Sequence, residues 1–403
     1  MINAIEEPTA GKLLAQDTSA IELSIVMPCL NEADTLATCI RKARAAIQDL
    51  GDAAEIIIAD NGSNDGSQQI ALDLGARVVN VAEKGYGNAL MGGIAAAKGT
   101  YVLMGDADDS YDFGETHKFL TKLREGCDLV QGCRLPWGGG TVAPGAMPFL
   151  HRWWGNPMFS IMARWWFGAP IHDVYCGMRG FRKDWYIKLD QRCIGMEFAT
   201  EMIIKSSLYG ARIGEVPITL HPDGRKAHAP HLKTFRDGWR TLRFFLLYCP
   251  RWLFLIPGIV LMLIGLLGYC LAMPGTRVFG AVLDAHTLLI ASLALLVGYQ
   301  SIFFAVFTKV FAVSERLMPP DTRLDNIFKV LTLERGIISG FLACVVGGSL
   351  LISAVCIWSR AGFGHLDYAR TMRWVVPGVT LFALGFQTIW SSFFVSLLGM
   401  RRK

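Results

Sequence analysis

The chain of 403 residues is short of charge: Asp, Glu, Lys and Arg make up 18% of it, against 52% hydrophobic residues. Several familiar patterns are also missing. None of its ten cysteines stands in a Cys-x-x-Cys pair, and Cys344 and Cys356 lie inside an apolar run. That argues against a zinc site and a disulfide frame, and the cysteines read as reduced thiols. No block of Lys and Arg is interleaved with aromatic residues and the net charge is a mild +5, so no nucleic acid is expected as a partner. Met1–Ala20 has no apolar core segment and carries Glu6, Glu7 and Asp17. Residues 1–20 therefore read as a flexible N-terminal tail, not a secretory signal.

The apolar residues are unevenly spread. Up to about residue 245 the composition is that of a globular mixture, and four uncharged runs follow: Trp252–Met273, Ala285–Thr308, Gly336–Ser359 and Trp374–Met400. Each is long enough to cross a hydrocarbon core of ~30 Å. None carries Asp, Glu, Lys or Arg in mid-span, so an ion or proton pathway is not expected. Gly347-Gly348 suits close helix packing. Arg240, Arg243 and Arg251 precede the first run, Lys309, Arg316, Arg323, Lys329 and Arg335 lie between the second and third, and Arg401–Lys403 follow the last. Arg277, Arg360, Arg370 and Arg373 fall in the other loops. The count favours a multi-pass membrane protein with its N-terminal domain, middle loop and C-terminus on the cytoplasmic side. Between the two parts, residues 233–250 place Arg236, Arg240 and Arg243 among Phe235, Trp239, Leu242, Phe245 and Leu246. That spacing predicts an amphipathic helix lying on the bilayer. The expected division is 1–20 tail, 21–232 globular domain, 233–250 juxtamembrane helix and 251–403 four-helix transmembrane domain.

In the globular part, Glu22–Pro28, Ala54–Asp60, Arg77–Val81 and Gly99–Leu103 read as strands, separated by helical segments. This alternation predicts an α/β fold with a parallel, doubly wound sheet. Ligands of such sheets sit beyond the carboxyl ends of the strands. Pro28–Glu32, Asp60–Asp65 and Asp106–Asp109 all fall there and converge on one crevice. Alternation along an extended chain aims Asp106 and Asp108 the same way, and paired carboxylates repel unless a cation neutralises them. Oxygen ligands suit Mg²⁺ or Mn²⁺ shared with a substrate's phosphates. An isolated Asp-x-Asp reads more readily as a solvated acidic turn; the convergence of three segments reverses that in favour of the metal. Gly85 and Gly87 suit a helix-opening turn or a phosphate approach, Asp65 a helix N-terminal acid, and Lys84 a solvated surface position.

These residues resemble a known family. Pro28-x-x-Asn31-Glu32, Asp60-Asn61-Gly62-Ser63-x-Asp65-Gly66, Lys84-Gly85-Tyr86-Gly87-Asn88-Ala89 and Asp106-Ala107-Asp108 look like inverting family 2 glycosyltransferases of the GT-A fold. The resemblance covers roughly residues 22–245 and is to the polyprenyl-phosphate branch, which includes dolichol-phosphate mannose synthases and bactoprenol glucosyltransferases. It implies a Rossmann-like, mostly parallel sheet followed by an α-helical transmembrane domain. It implies that Pro28, Leu30, Glu32 and Asp60 line the base and ribose, with Asn61 and Gly87 on the nucleotide side. Asp106 and Asp108 would bind Mg²⁺ or Mn²⁺ and the diphosphate, and Asp109 would orient the sugar or acceptor. Asn61 stands where many relatives carry a second Asp, which leaves UDP or GDP open. Implied partners are a UDP- or GDP-hexose, a polyprenyl phosphate, the bilayer and further copies of the chain in a homo-oligomer.

On the acceptor side, Asp128–Arg134 reads as a strand ending in Arg134, followed by a glycine-rich loop from Trp137 that could order on ligand. His151-Arg152-Trp153-Trp154 suits a membrane–water interface, where a cation faces phosphate, or else an amphipathic helix packed on the sheet. Asp173-x-x-x-Gly177-x-Arg179-x-Phe181 matches the branch's acceptor-wall segment. Glu201 suits a cap or a salt bridge. The segment 220–233 is dense in positive groups; Arg225 is expected to touch phosphate, and His228 and His231 lack metal spacing. Arg134, Arg152 and Arg225 are thus the candidate acceptor-phosphate ligands. Two other readings remain. A processive polysaccharide synthase of this family carries Gln-x-x-Arg-Trp; here Gln131-Gly-Cys-Arg134 is followed by Leu135. A non-catalytic lipid-binding membrane protein would have kept the fold without the chemistry.

Overall fold

The computed structural model describes residues 21–225, 234–320 and 332–400. The expected tail 1–20 lies outside the described residues, as do Lys226, His228, His231, Arg323, Lys329 and Arg401–Lys403. Chain packing divides the protein into two units, Met1–Asp237 and Gly238–Lys403.

The first unit is built on a seven-stranded sheet. Its first four strands are β1 (Leu23–Cys29), β2 (Ala54–Asp60), β3 (Arg77–Asn80) and β4 (Tyr101–Met104). The helices between them are α1 (Leu36–Ala46), α2 (Ser67–Asp73) and α3 (Tyr86–Ala96). β1 lies between β2 and β4 and runs parallel to both, and β3 adds parallel to β2. The period-2 alternation of β1 assigns its faces. Leu23, Ile25, Met27 and Cys29 pack against Leu36, Cys39, Ile40 and Ala43 of α1. Val26 faces the other way and meets α3. There a Cβ on Gly93 would stand 2.6 Å from Val26 Cγ1 and 2.9 Å from Ala59 Cβ, so only glycine lets the helix approach. Helices on both faces make the sheet doubly wound, as expected.

Past β4, the helix α4 (Thr116–Arg124) leads to β5 (Leu129–Cys133), which pairs in parallel with β8 (Ile213–Pro217). Between β4 and β5 sits β7 (Arg179–Arg182), antiparallel to both. The sequence hides this strand, because its first residue is a charged one placed in the core: Arg179 is 0% exposed and donates to the carbonyls of Cys176 and Ala199. The glycine-rich loop is not loose. Its β6 (Thr141–Val142) pairs with β9 (Thr219–Leu220). Further on are α5 (Asn156–Phe167), α6 (Lys183–Leu189) and α7 (Glu197–Leu208), and α8 (Thr234–Tyr248) is a helix within the segment 233–250.

In the second unit, four helices among the described residues are long and apolar enough to cross a membrane: Arg251–Ala272, Ala285–Ser314, Leu333–Arg360 and Tyr368–Leu398. They overlap the uncharged stretches and take in Lys309, Arg335, Arg370 and Arg373 towards their ends. Small residues let them touch. A Cβ on Gly298 would come 2.8 Å from Gly258 O, and one on Gly340 2.7 Å from Gly385 O. Hydroxyls add direction: Tyr269, Ser292 and Thr380, from three different spans, bond one another at 2.7–3.0 Å. Such packing and hydroxyl pairing is what holds helices together where burial from water supplies no drive between them.

Candidate active site

The crevice at the carboxyl ends of β1, β2 and β4 has two rims. The first joins the loop after β1 to the turn after β2. Asn31 takes a left-handed conformation, φ 60°, which Asn tolerates better than most residues. Its N–H donates to Ser63 Oγ at 3.0 Å, Glu32 N–H to Ser67 Oγ at 3.0 Å and Ala33 N–H to Asp65 Oδ2 at 2.8 Å. Three successive main-chain donors of one loop are thus satisfied by side chains of the next. Asp65 also accepts from Ser67 N–H at 3.0 Å, the helix-start role its position suggested.

Asp60, 1% exposed, ends β2 and accepts from Gly62 and Ser63 N–H and from Gln68 Nε2. Asn61 is a strut. Its amide nitrogen donates to Val81 O at 3.0 Å and Glu83 O at 2.8 Å, and its amide oxygen accepts from Gly85 N–H at 2.9 Å. A carboxylate could not donate to those two carbonyls, which explains Asn here in terms of this fold alone. Gly87 is likewise engaged by the protein. Its N–H donates to Ile194 O at 2.9 Å, and a Cβ would stand 2.4 Å from Cys193 O. What the structure shows at Asn61 and Gly87 is support of the loops rather than groups open to a ligand. Leu30, just past β1, is 38% exposed, and Pro28 is half-buried near the end of that strand.

The second rim is the acidic turn after β4. Asp106 Oδ1 accepts from Tyr86 Oη at 2.9 Å. Burial first, and the charge of Asp108 next, push its carboxyl up to about 7. Asp108 Oδ1 accepts from Ser110 N–H and Oγ, at 3.0 and 2.6 Å, while Oδ2 holds Arg225 Nη2 at 2.9 Å. Arg225 Nε reaches Glu32 Oε2 at 2.9 Å, so this arginine joins the two rims. Asp109, at φ 61°, turns toward α1 and pairs with Lys42 Nζ at 2.8 Å. Asp106, Asp108, Glu32 and Arg225, far apart in sequence, are therefore one cluster.

The other candidate arginines stand elsewhere. Arg134 is buried in a two-pronged pair with Asp173, Nε to Oδ2 at 2.7 Å and Nη2 to Oδ1 at 2.9 Å. That geometry ties β5 to the segment before β7 and leaves the guanidinium little to offer a ligand. Arg152 lies over the Trp153 ring, 5.5 Å from its centroid. The chain on and before α5 exposes a stripe: Leu150, Trp154, Met158, Ile161 and Trp165 are 45–78% exposed. Glu201 forms a buried pair with Lys205 at 2.7 Å and accepts from Arg192 and Cys193 N–H. Tyr86 and Lys42 escaped the sequence reading. The tyrosine between two glycines at the mouth of α3 was the available signal.

The residues fit a divalent cation in part. Two hard carboxylates on one turn repel each other, and one is held back from ionising. No group of three or more His, Cys, Asp and Glu suited to a metal occurs among the described residues. Two protein oxygens leave most of a Mg²⁺ or Mn²⁺ coordination shell to phosphate and water, as such ions prefer at phosphate sites.

Known proteins match over both units. Residues 24–190 match glycosyl transferase family 2, and residues 306–399 match the glycosyltransferase family 2 C-terminal transmembrane region. The chain is 37% identical to the low-salt glycan biosynthesis hexosyltransferase Agl6 of Haloferax volcanii, over 96% of this chain and 92% of that protein. It is 30% identical to a dolichyl-phosphate hexose transferase of the same organism, over 54% of this chain and 89% of that one. Glucosyl-3-phosphoglycerate synthase from Mycobacterium tuberculosis, solved with Mn²⁺, UDP and glucosyl-3-phosphoglycerate, is 20% identical with a TM-score of 0.46, over 61% of this chain and 86% of that one. The full-length likeness, the two matched regions and the four spans agree: the chain belongs to glycosyltransferase family 2 and is an enzyme with a membrane-spanning C-terminal region.

Proposed function

We propose that this glycosyltransferase moves a hexose from a nucleoside-diphosphate sugar to the phosphate of a polyprenyl phosphate, with inversion at the anomeric carbon. The observation that carries the reading is the cluster of Asp106, Asp108, Glu32 and Arg225 at the mouth of a rigid two-loop rim, on a chain with four spans. The names of the two Haloferax relatives, a hexosyltransferase and a dolichyl-phosphate hexose transferase, point the same way. Pro28, Leu30, Glu32 and Asp60 form the nucleotide side, with Leu30 offering an apolar surface to the base. Asp106 and Asp108 would hold Mg²⁺ or Mn²⁺, with Tyr86 Oη orienting Asp106. The ion, when bound, neutralises charge on the diphosphate.

The acceptor's phosphate oxygen attacks the anomeric carbon from the face opposite the nucleotide. The new bond joins that carbon to the acceptor oxygen. The old bond to the diphosphate breaks, and the nucleoside diphosphate departs with its electron pair. A phosphate monoester is already anionic at neutral pH, so no side chain has to remove a proton. Asp109, paired with Lys42, orients rather than deprotonates. The exposed stripe on and before α5, with Arg152 beside it, suits the bilayer surface where the acceptor lies. A cytoplasmic position of the first unit is what the basic flanks favour, against the weaker opposing count of Arg360, Arg370 and Arg373.

The test is product chemistry. Membranes holding the protein, given labelled UDP- and GDP-hexoses and polyprenyl phosphate, form an acid-labile lipid-linked monosaccharide. Polymer, or no product with any donor, would overturn the reading.

A further inference from the structure

The crevice lies at the carboxyl ends of the strands. At their amino ends a second cleft, of about 830 Å³, opens between the end of α1 and the starts of β2 and β3. Clefts of that size hold small molecules. Arg41 and Arg44 stand on its helix side, Arg77 and Lys98 on its sheet side, against one lining carboxylate among the described residues, Glu55. That carboxylate is committed to the fold. Its Oε1 accepts from Ser24 Oγ at 2.7 Å and Lys98 N–H at 2.6 Å, and its Oε2 pairs with Arg77 Nη2 at 2.7 Å. The cleft is left with an excess of positive charge.

Two of the arginines are held in place. Arg77 Nη2 also donates to Ala96 O at 2.7 Å, while its Nε is buried with no hydrogen-bond partner among the described residues. Arg44 Nη2 donates to Leu74 O and lies against Gly75, where φ is 68° and a Cβ would stand 2.8 Å from that nitrogen. Among the described residues no carboxylate pairs with Arg41, Arg44 or Lys98. Other arginines at the surface of this unit do find acids: Arg124 pairs with Glu22 at 2.7 Å and Arg192 with Asp190 at 2.8 Å. Like charges gathered round a concave surface focus a field that draws in anions. Ile47 and Ile56, each 7% exposed, add an apolar part to the lining but nothing that projects to enter a bilayer. That favours a soluble ligand over a lipid headgroup.

We propose that this cleft binds a soluble anion bearing two phosphate groups. Three guanidinium forks and an ammonium are more than one phosphate can engage. The site is separate from the crevice. β2 begins in the cleft at Ala54 and ends at Asp60 on the nucleotide rim, which sets the two about 20 Å apart along one strand.

The test uses the full-length protein in nanodiscs of neutral lipid, with pyrophosphate binding followed by isothermal titration calorimetry in EDTA. The chelator removes divalent ions, so the diphosphate has no metal to enter the crevice with. Wild type should bind pyrophosphate, and Asp108→Asn should bind it equally well. The double variant Arg41→Gln, Arg44→Gln should bind at least about tenfold more weakly, the scale of lost charge-assisted hydrogen bonds. Its sugar transfer without pyrophosphate should be unchanged, and so should its thermal unfolding. Lys98→Gln, an exposed change outside any helix, should weaken binding on its own. Nanodiscs containing phosphatidylglycerol should leave the affinity of wild type for pyrophosphate unaltered at physiological salt. No binding by wild type, equal binding by the double variant, or loss of binding in Asp108→Asn overturns the proposal. Pyrophosphate displaced by phosphatidylglycerol assigns the cleft to a lipid headgroup and overturns the soluble ligand.

Discussion

The two rims of the crevice are built on opposite plans. On the nucleotide side, Asp60, Asn61 and the N–H groups of Asn31, Glu32 and Ala33 are satisfied by other parts of the protein, at 2.7–3.2 Å. On the acidic side, Asp108 is held by Arg225 and Asp109 by Lys42, cationic side chains that a ligand could replace. The difference separates a mould from a site of exchange. A rim whose buried polar groups are paired internally keeps its shape when empty. A rim neutralised by cationic side chains depends on partners that another cation could replace.

Breaking the exchangeable side should cost the most activity. Asp108→Asn removes a proposed metal oxygen and a partner of Arg225; transfer should fall at least about 100-fold, since such ions supply several kcal/mol to the transition state. Circular dichroism should show the fold retained. Breaking the mould should instead cost stability. Asn61→Asp turns a donor toward Val81 O and Glu83 O into an acceptor, and one buried unpaired group costs about 1–3 kcal/mol. Thermal unfolding in detergent should drop by several degrees, with a smaller effect on the affinity for Mn²⁺. Tyr86→Phe sharpens the contrast: it removes the bond to Asp106 Oδ1 without touching either rim's backbone. Mn²⁺ affinity by EPR should fall about tenfold, the usual cost of losing a partner that orients a metal ligand.

The smallest effect is a pH dependence. Asp106 is pushed up to about 7, by burial and then by Asp108. Below that pH it is protonated and must lose its proton to take a cation, so Mn²⁺ affinity should weaken as pH falls through about 7. An ordinary carboxylate would keep its affinity down to about pH 4. For folding stability the sign is opposite. A carboxyl raised from 3.8 to about 7 destabilises the fold progressively as pH rises through that window.

The same contrast explains what was legible in the sequence. The strands, the three convergent loops and the four spans are patterns of period and run length, and a single chain displays them. β7 was not legible, because a buried arginine interrupts its apolar pattern and its pairing is antiparallel. Arg134 looked like a free cation at a strand end; Asp173 lies 39 residues on, and only the folded chain brings the two together. Asn61 and Gly87 carry their meaning in hydrogen-bond direction and space, neither of which is written in residue type. Arg225 was expected near phosphate, but its grip on both rims depends on the register of 220–225 against 108–111.

The most direct test of the account is the position of Mn²⁺ in crystals of the full-length protein grown with Mn²⁺ and a nucleoside diphosphate. An anomalous scattering peak within coordination distance of both Asp106 and Asp108, and lost in Asp108→Asn, is the predicted result. A peak elsewhere, or a nucleotide bound with those two carboxylates turned from it, would contradict the account.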